Sequence, residues 1–187
     1  MLIPVEARYA LLTLAREAIG ARVRRETPPP VPAGHPWNEP AAVFVTVYVA
    51  GELRGCLGRL ERQSTLGEIV VHLGAEVAVS DPRFAPLTVT ELSDLTVEVS
   101  VLSPEEAVSA IDEVVVGRHG LIVEQGHRRG LLLPQVAREH GWDRLTFVEQ
   151  TCVKAGLPAD AWRRGARIFT FEAQVFDEGD RPQPPAA

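Results

Sequence analysis

The run Ala41–Ala50 constrains this chain more than any other segment. Val43, Phe44, Val45, Val47, Tyr48 and Val49 are β-branched or aromatic, and Thr46 alone interrupts them. The run is far short of the roughly 18–20 residues that a membrane helix needs. Length and propensity read it as a buried strand, and a buried strand needs a covering element. Residues 5–22 supply one: Ala7, Leu11, Leu14, Ala15, Ala18 and Ile19 recur at helical spacing, and Pro4 suits the helix start. Between helix and strand, residues 27–40 hold six prolines. They end the helix and enforce an extended connection. The connection is short, so it reads as a surface loop inside one domain.

After a tight turn at Gly51-Glu52 the chain returns through Leu53-Arg54-Gly55-Cys56-Leu57-Gly58. Two glycines weaken a regular strand there. Thr65–Ser80 reads as a helix: Thr65 and Glu68 make a capping box, and Leu66, Ile69, Val70, Leu73 and Val77 its inner stripe. Asp81-Pro82 ends it. Leu95–Leu102 alternates cleanly, with Leu95, Val97, Val99 and Val101 on one face and Thr96, Glu98 and Ser100 on the other. Ser103–Glu106 reads as a short helical turn. Val114–Val116 and Leu121–Val123 read as strands joined by Gly117–Gly120, and Gly126–Gly130 as a hairpin turn. Pro134–His140 and Leu145–Ala155 read as helices, the second with Phe147, Val148, Cys152 and Val153 on the core side and Gly156 closing it. Ile168–Phe176 is a last alternating strand, and 178–187 a frayed tail.

Hairpin-sized turns dominate, and strands and helices interleave without the regular alternation of a doubly wound sheet. The fold class is α+β, mostly antiparallel, with packed helices. At 187 residues the chain suits one domain or two small lobes. A net charge of −6 argues against a broad nucleic-acid surface. Two cysteines make no disulfide scaffold or four-cysteine zinc site. The N-terminus lacks a basic-then-apolar signal pattern. The chain therefore reads as cytoplasmic with reduced thiols, with no metal or cofactor motif.

Five constellations carry chemical potential. In the Leu53–Gly58 segment, a glycine-flanked cysteine can sit where backbone approaches a ligand, with Gly55 and Gly58 freeing amides for an oxyanion and Arg54 adding a positive charge. Free cysteine is usually buried, so local signals alone favour Cys56 as a core filler beside a bulge. Arg83 in Asp81-Pro82-Arg83-Phe84 either grips an anion or pairs with Asp81 behind a Phe84 anchor, and local signals favour the pair. Glu98 is a general base if its strand face lines a cleft, and a solvated residue if it faces water. His119, between glycines, is an acid or base near neutrality or simply a turn residue. Gln135, in Gly130–Ala137, is the polar group of that segment that could face a pocket. Trp142 and Cys152 read as core.

Together these segments resemble the AMMECR domain family. The residues that carry the resemblance are LRGCLG at 53–58, DPRF at 81–84, LTVEVSVLS at 95–103, GRHGLIVEQG at 117–126, GLLLPQVA at 130–137, Trp142 and CVKAGLP at 152–158. The family hallmark continues LRGC with Ile-Gly, and Leu57 replaces that Ile conservatively. The resemblance spans about residues 5–177. It implies one domain over 1–177, with a larger and a smaller lobe around a cleft near the hallmark. It also implies similarity to protein A of the AmmeMemoRadiSam system, with a Memo-type dioxygenase-like protein and a radical S-adenosylmethionine protein as partners.

The expected site follows. Cys56 is a nucleophile or redox thiol, Glu98 or His119 moves protons, and Arg54, Gly55, Gly58, Arg83 and Gln135 bind a small ligand. The competing expectation is a non-catalytic adaptor for a metabolite or protein. A nucleic-acid surface at Arg128, Arg129, Arg163, Arg164 and Arg167 ranks behind both, since those arginines also suit solvated turns.

Overall fold

A computed structural model describes residues 2–180. It divides into two compact units: Met1–Val101 with the chain from Gln174 onward, and Leu102–Ala173.

The first unit begins with α1 (Val5–Arg24), followed by β1 (Ala42–Val49), β2 (Glu52–Arg59), α2 (Leu66–Val77) and β3 (Leu95–Leu102). Pro4 sits at the α1 N-cap, where its missing N–H costs nothing, and the helix ends at Arg25 in a left-handed conformation (φ 59°). Helix α2 opens as expected: the Glu68 carboxylate accepts from the Thr65 N–H at 3.0 Å and from its hydroxyl at 2.8 Å. Strand order is β2-β1-β3, with β7 (Arg167–Asp177) next to β3. One core holds the unit together. The inner stripes of both helices meet Val43, Val45 and Val47 of β1 and Leu95, Val97, Val99 and Val101 of β3. At Gly74, a β-carbon would sit 2.9 Å from the Ala15 carbonyl oxygen, so α1 and α2 meet backbone to backbone.

The β1–β2 turn is Ala50-Gly51, with φ of 51° and 84°, one residue earlier than the sequence suggests. Positive φ at both central residues matches the twist of a two-residue hairpin. The strand through the two glycines is regular from Gly55 onward. Its irregularity lies one residue before: Val47 opposes Gly55 while Tyr48 opposes Leu53, which leaves Arg54 as the extra residue of a bulge.

The second unit contains β4 (Glu106–Ala107), β5 (His119–Gln125), β6 (Arg128–Leu132), α3 (Pro134–Glu139), α4 (Arg144–Lys154) and the first part of β7. β4 and β5 both pair antiparallel with β7, and β6 pairs antiparallel with β5. Val114, Leu121, Val123, Phe147, Val148, Cys152 and Ile168 make its core. At Gly130 a β-carbon would fall 2.4 Å from the Ala155 backbone nitrogen, which lets β6 lie against the end of α4.

Three expectations are corrected in this unit. Ser103–Glu106 is not helical; Pro104 removes a donor, and Glu106 instead opposes Thr170 of β7. Val114–Val116 is not a strand but leads into a turn over residues 116–118, closed by the amides of Arg118 and His119, which bond back to the Val115 carbonyl at 3.2 and 2.9 Å. Val153 is 52% exposed, since the α4 stripe follows Phe147, Val148 and Cys152 and turns Val153 outward. The expected tail from 178 begins within the described residues: Glu178 forms a bidentate pair with Arg16 and accepts the Val97 N–H at 3.0 Å. Residues 181–187 of that tail lie outside the described residues.

Candidate functional site

The site is built on the face of β1 and β3 turned away from the helices. Val43, Val45 and Val47 fill the core, so alternation sends Thr46 to the opposite face; by the same rule Glu98 leaves the Val97–Val99 side of β3. Antiparallel register sets Cys56 of β2 directly opposite Thr46, on that same face. The result is a row across three neighbouring strands: Cys56, Thr46, Glu98.

The row is linked through Thr46. Its Oγ1 donates to Cys56 Sγ at 3.3 Å, and its side chain interacts with the Glu98 carboxyl. Thr46 is 7% exposed, whereas Cys56 and Glu98 are half-buried. Cys56 is thus not the core filler that local signals favour. Burial pushes the Glu98 carboxyl above the ordinary range, and the nearby negative charge of Asp177 pushes the same way; the Thr46 hydrogen bond opposes both.

A second cluster fixes the Cys56 backbone. The Asp81 carboxylate accepts the Cys56 N–H at 2.9 Å, the Arg83 N–H at 3.1 Å, and Arg83 Nε and Nη2 at 3.0 and 2.7 Å. Arg83 Nη2 also donates to the Cys56 carbonyl at 3.3 Å. The paired Arg83 guanidinium, helped by the two backbone donors, holds the Asp81 carboxyl well below the usual carboxylate range despite its burial. Arg83 is therefore the partner of Asp81, as its local signals favour. The Cys56 amide, expected as a free oxyanion donor, is occupied by Asp81.

Arg54 bonds Glu91 at 2.8 Å and the Ala85 carbonyl at 3.3 Å. Glu91 in turn accepts the Thr88 N–H and hydroxyl, each at 2.8 Å. The Thr88 N–H bond leads the causes that hold its carboxyl below the ordinary value. The Arg54 and Arg83 guanidiniums both lie over the Phe84 ring, 5.9 and 5.3 Å from its centroid. The glycines have packing reasons of their own. A β-carbon at Gly55 would meet Val77 Cγ2 and its carbonyl oxygen at 2.9 Å, and one at Gly58 would meet the Phe44 ring at 2.2 Å.

His119 and Gln135 belong to the second unit. His119 opens β5 opposite Glu172, and its Nδ1 accepts the Val115 N–H at 3.2 Å. Gln135 is the second residue of α3 and partly buried. Cys152 is fully buried and its thiol is pushed up by that burial. Among the described residues no three His, Cys, Asp or Glu side chains group as metal ligands, and no helix is long and apolar enough to cross a membrane.

The AMMECR1 family model matches residues 12–176, a span that contains Cys56, Thr46, Glu98, Asp81 and Arg83. The chain belongs to the AMMECR1 family. It is 43% identical to a protein of Methanosarcina acetivorans over 95% of this chain and 94% of that protein. It is 39% identical to protein MJ0810 of Methanocaldococcus jannaschii, over 91% and 87% of the two chains. The crystal structure of uncharacterized protein PH0010 from Pyrococcus horikoshii is similar to it with a TM-score of 0.82 and 39% identity, covering 94% of this chain and 93% of that one. The AMMECR1 fold is thus an α+β fold.

Sequence reasoning missed Thr46 as a functional residue, although it is the one polar residue in the apolar β1 run. What was lacking was the hairpin register, which sets it opposite Cys56. Asp177 was also missed, because its nearness to Glu98 depends on the end of β7, much later in the chain.

Proposed function

We propose that this AMMECR1-family protein is a thiol-dependent enzyme or enzyme component, with Cys56 as nucleophile and Glu98 as its proton acceptor. One observation carries the reading: the Thr46 hydroxyl bonds to the Cys56 sulfur and stands in the same row as the Glu98 carboxyl, with which it interacts. A hydroxyl has one proton to give. In the structure the Thr46 O–H donates to Cys56 Sγ; turned instead to the Glu98 carboxylate, the same O–H leaves Oγ1 free to accept the Cys56 S–H. Shifting both protons along that line leaves a thiolate that accepts from Thr46 and a neutral Glu98 that donates to it. Burial of Glu98 favours its neutral form, which lowers the cost of this second arrangement. The thiolate can then attack an electrophilic carbon, and Glu98 can return its proton to the leaving group. Asp81 supports this role by holding the Cys56 backbone. The family resemblance supports action in the cytoplasm alongside a Memo-type dioxygenase-like protein and a radical S-adenosylmethionine protein.

The test is the rate of alkylation by iodoacetamide at pH 7, read by mass spectrometry, with buried Cys152 as internal control. Cys56 should react while Cys152 is spared. Thr46→Val should slow Cys56 about a hundredfold, the lower end for removing a proton-transfer group, and Thr46→Ser should restore it. Equal rates in wild type and Thr46→Val would remove the relay. A second reading is a non-catalytic adaptor, which the internal pairing of Arg54, Arg83 and the Cys56 amide favours. Co-purification with the two partner proteins, without any turnover that depends on Cys56, would select it.

A further inference from the structure

We infer that the second unit carries a separate binding site for a small organic monoanion with a flat apolar body. The site is a half-open cavity of about 660 Å³ between residues 107–112, the turn at Trp162 and the start of β7. That volume falls within the range of small-molecule sites, roughly 300–1,000 Å³. All its lining residues belong to this unit, so it is independent of the Cys56 row.

Its walls are apolar and aromatic. Val108, Ile111 and Ile168 line it beside the rings of Trp162 and Phe169. Its opening is held by backbone pairing: the Val108 N–H donates to the Ile168 carbonyl at 2.9 Å, and Ala107 opposes Phe169. The cavity is therefore part of the strand layout rather than a gap between loose side chains.

Charge selects the ligand. Three charged residues line the cavity: Asp112, Arg163 and Arg167. Asp112 pairs with Arg144 at 2.9 Å, and Arg167 pairs with Glu124. Arg163 lies over the Trp162 ring, 4.6 Å from its centroid, and has no acidic partner among the described residues. The balance leaves one uncompensated positive charge on an aromatic platform. A monoanion neutralises it, and a second negative charge would meet Asp112 or compete with Glu124. A flat apolar body matches a lining that carries both Trp162 and Phe169 beside aliphatic side chains, where burying apolar surface adds affinity. A carboxylate takes two parallel bonds from a guanidinium, which makes it the best-matched head group.

The experiment uses the full chain and two ligands of equal shape, naphthalene-2-carboxylate and its neutral carboxamide, titrated by amide NMR at pH 7. The carboxylate should bind at least tenfold more tightly, with shifts concentrated in residues 107–112 and 162–169. Arg163→Gln should bring the two ligands within about twofold of each other, and Arg163→Lys should retain part of the preference. Arg163 is exposed, and the spectrum itself reports whether each variant is folded. The inference is overturned by no saturable binding at 5 mM, by equal binding of the two ligands to wild type, by an unchanged preference in Arg163→Gln, or by shifts that map elsewhere.

Discussion

Asp81→Asn should destabilise the protein by about 2–4 kcal/mol at pH 7. Asparagine keeps the shape, so the loss is confined to the carboxylate's four accepted bonds. Its one remaining oxygen can keep the donors on one side, and its NH2 group then faces those on the other. Oriented to keep the Arg83 amide and Nε, it loses the Cys56 N–H, a bond to a charged acceptor worth about 1.5–3 kcal/mol. The loss of Arg83 Nη2 is discounted, because the Arg83 side chain is 56% exposed and water replaces its partner; about 0.5–1 kcal/mol is appropriate there. The assay is urea unfolding followed by circular dichroism, with amide exchange to localise the loss; the Cys56 and Arg83 amides should lose protection first. The penalty should also depend on pH. A carboxyl depressed in the folded state contributes stability above its unfolded value, 3.8, and loses it as pH falls toward the folded value. Between pH 7 and pH 3 the gap between wild type and variant should therefore narrow by about 1 kcal/mol. A penalty below about 0.5 kcal/mol at pH 7, or one equal at both pH values, would refute the reasoning.

Three further outcomes are expected. Glu98→Gln should be more stable than wild type at neutral pH: a carboxyl raised in the folded state contributes its stability below the ordinary value of 4.5 and loses it as pH rises through the folded value. In paired urea titrations the gain should vanish below about pH 4.5. Ala50→Gly should raise the urea midpoint by an amount worth about 0.5–1 kcal/mol, with no change in slope, because Ala50 holds a left-handed conformation that glycine adopts freely. Gly130→Ala should cost about 1–3 kcal/mol or more in thermal unfolding, since its β-carbon would meet the Ala155 backbone rather than a movable side chain.

Most of the secondary structure was legible because its signals are local. The β3 alternation, the Thr65–Glu68 cap and the stripe of α1 need no distant partner to be read. One error falls where a distant partner decides: Ser103–Glu106 is extended because Glu106 meets Thr170. Another is a local turn read as a strand, since the Arg118 and His119 amides reach back only to the Val115 carbonyl. The site divides the same way. Cys56, Glu98 and Arg83 were named from their own neighbourhoods. The Thr46 link and the Asp81 hold on the Cys56 amide follow from register and from a loop returning 25 residues later, which no short window contains.

The first unit is made of two stretches of chain with the whole second unit encoded between them. Its N-terminal Ile3 amide donates to the Gln174 side chain, and Arg16 waits for Glu178. During synthesis, the part that leaves the ribosome first is thus the part completed last. Residues 102–173 have every internal partner available before the bond from Arg16 to Glu178 can form. Contacts of such long sequence separation are slow to close. A chain stalled before residue 174 would present β3 without the strand that borders it, an open edge of the kind that invites pairing with another molecule. The last few residues of β7 are, in this sense, the piece that completes the first unit.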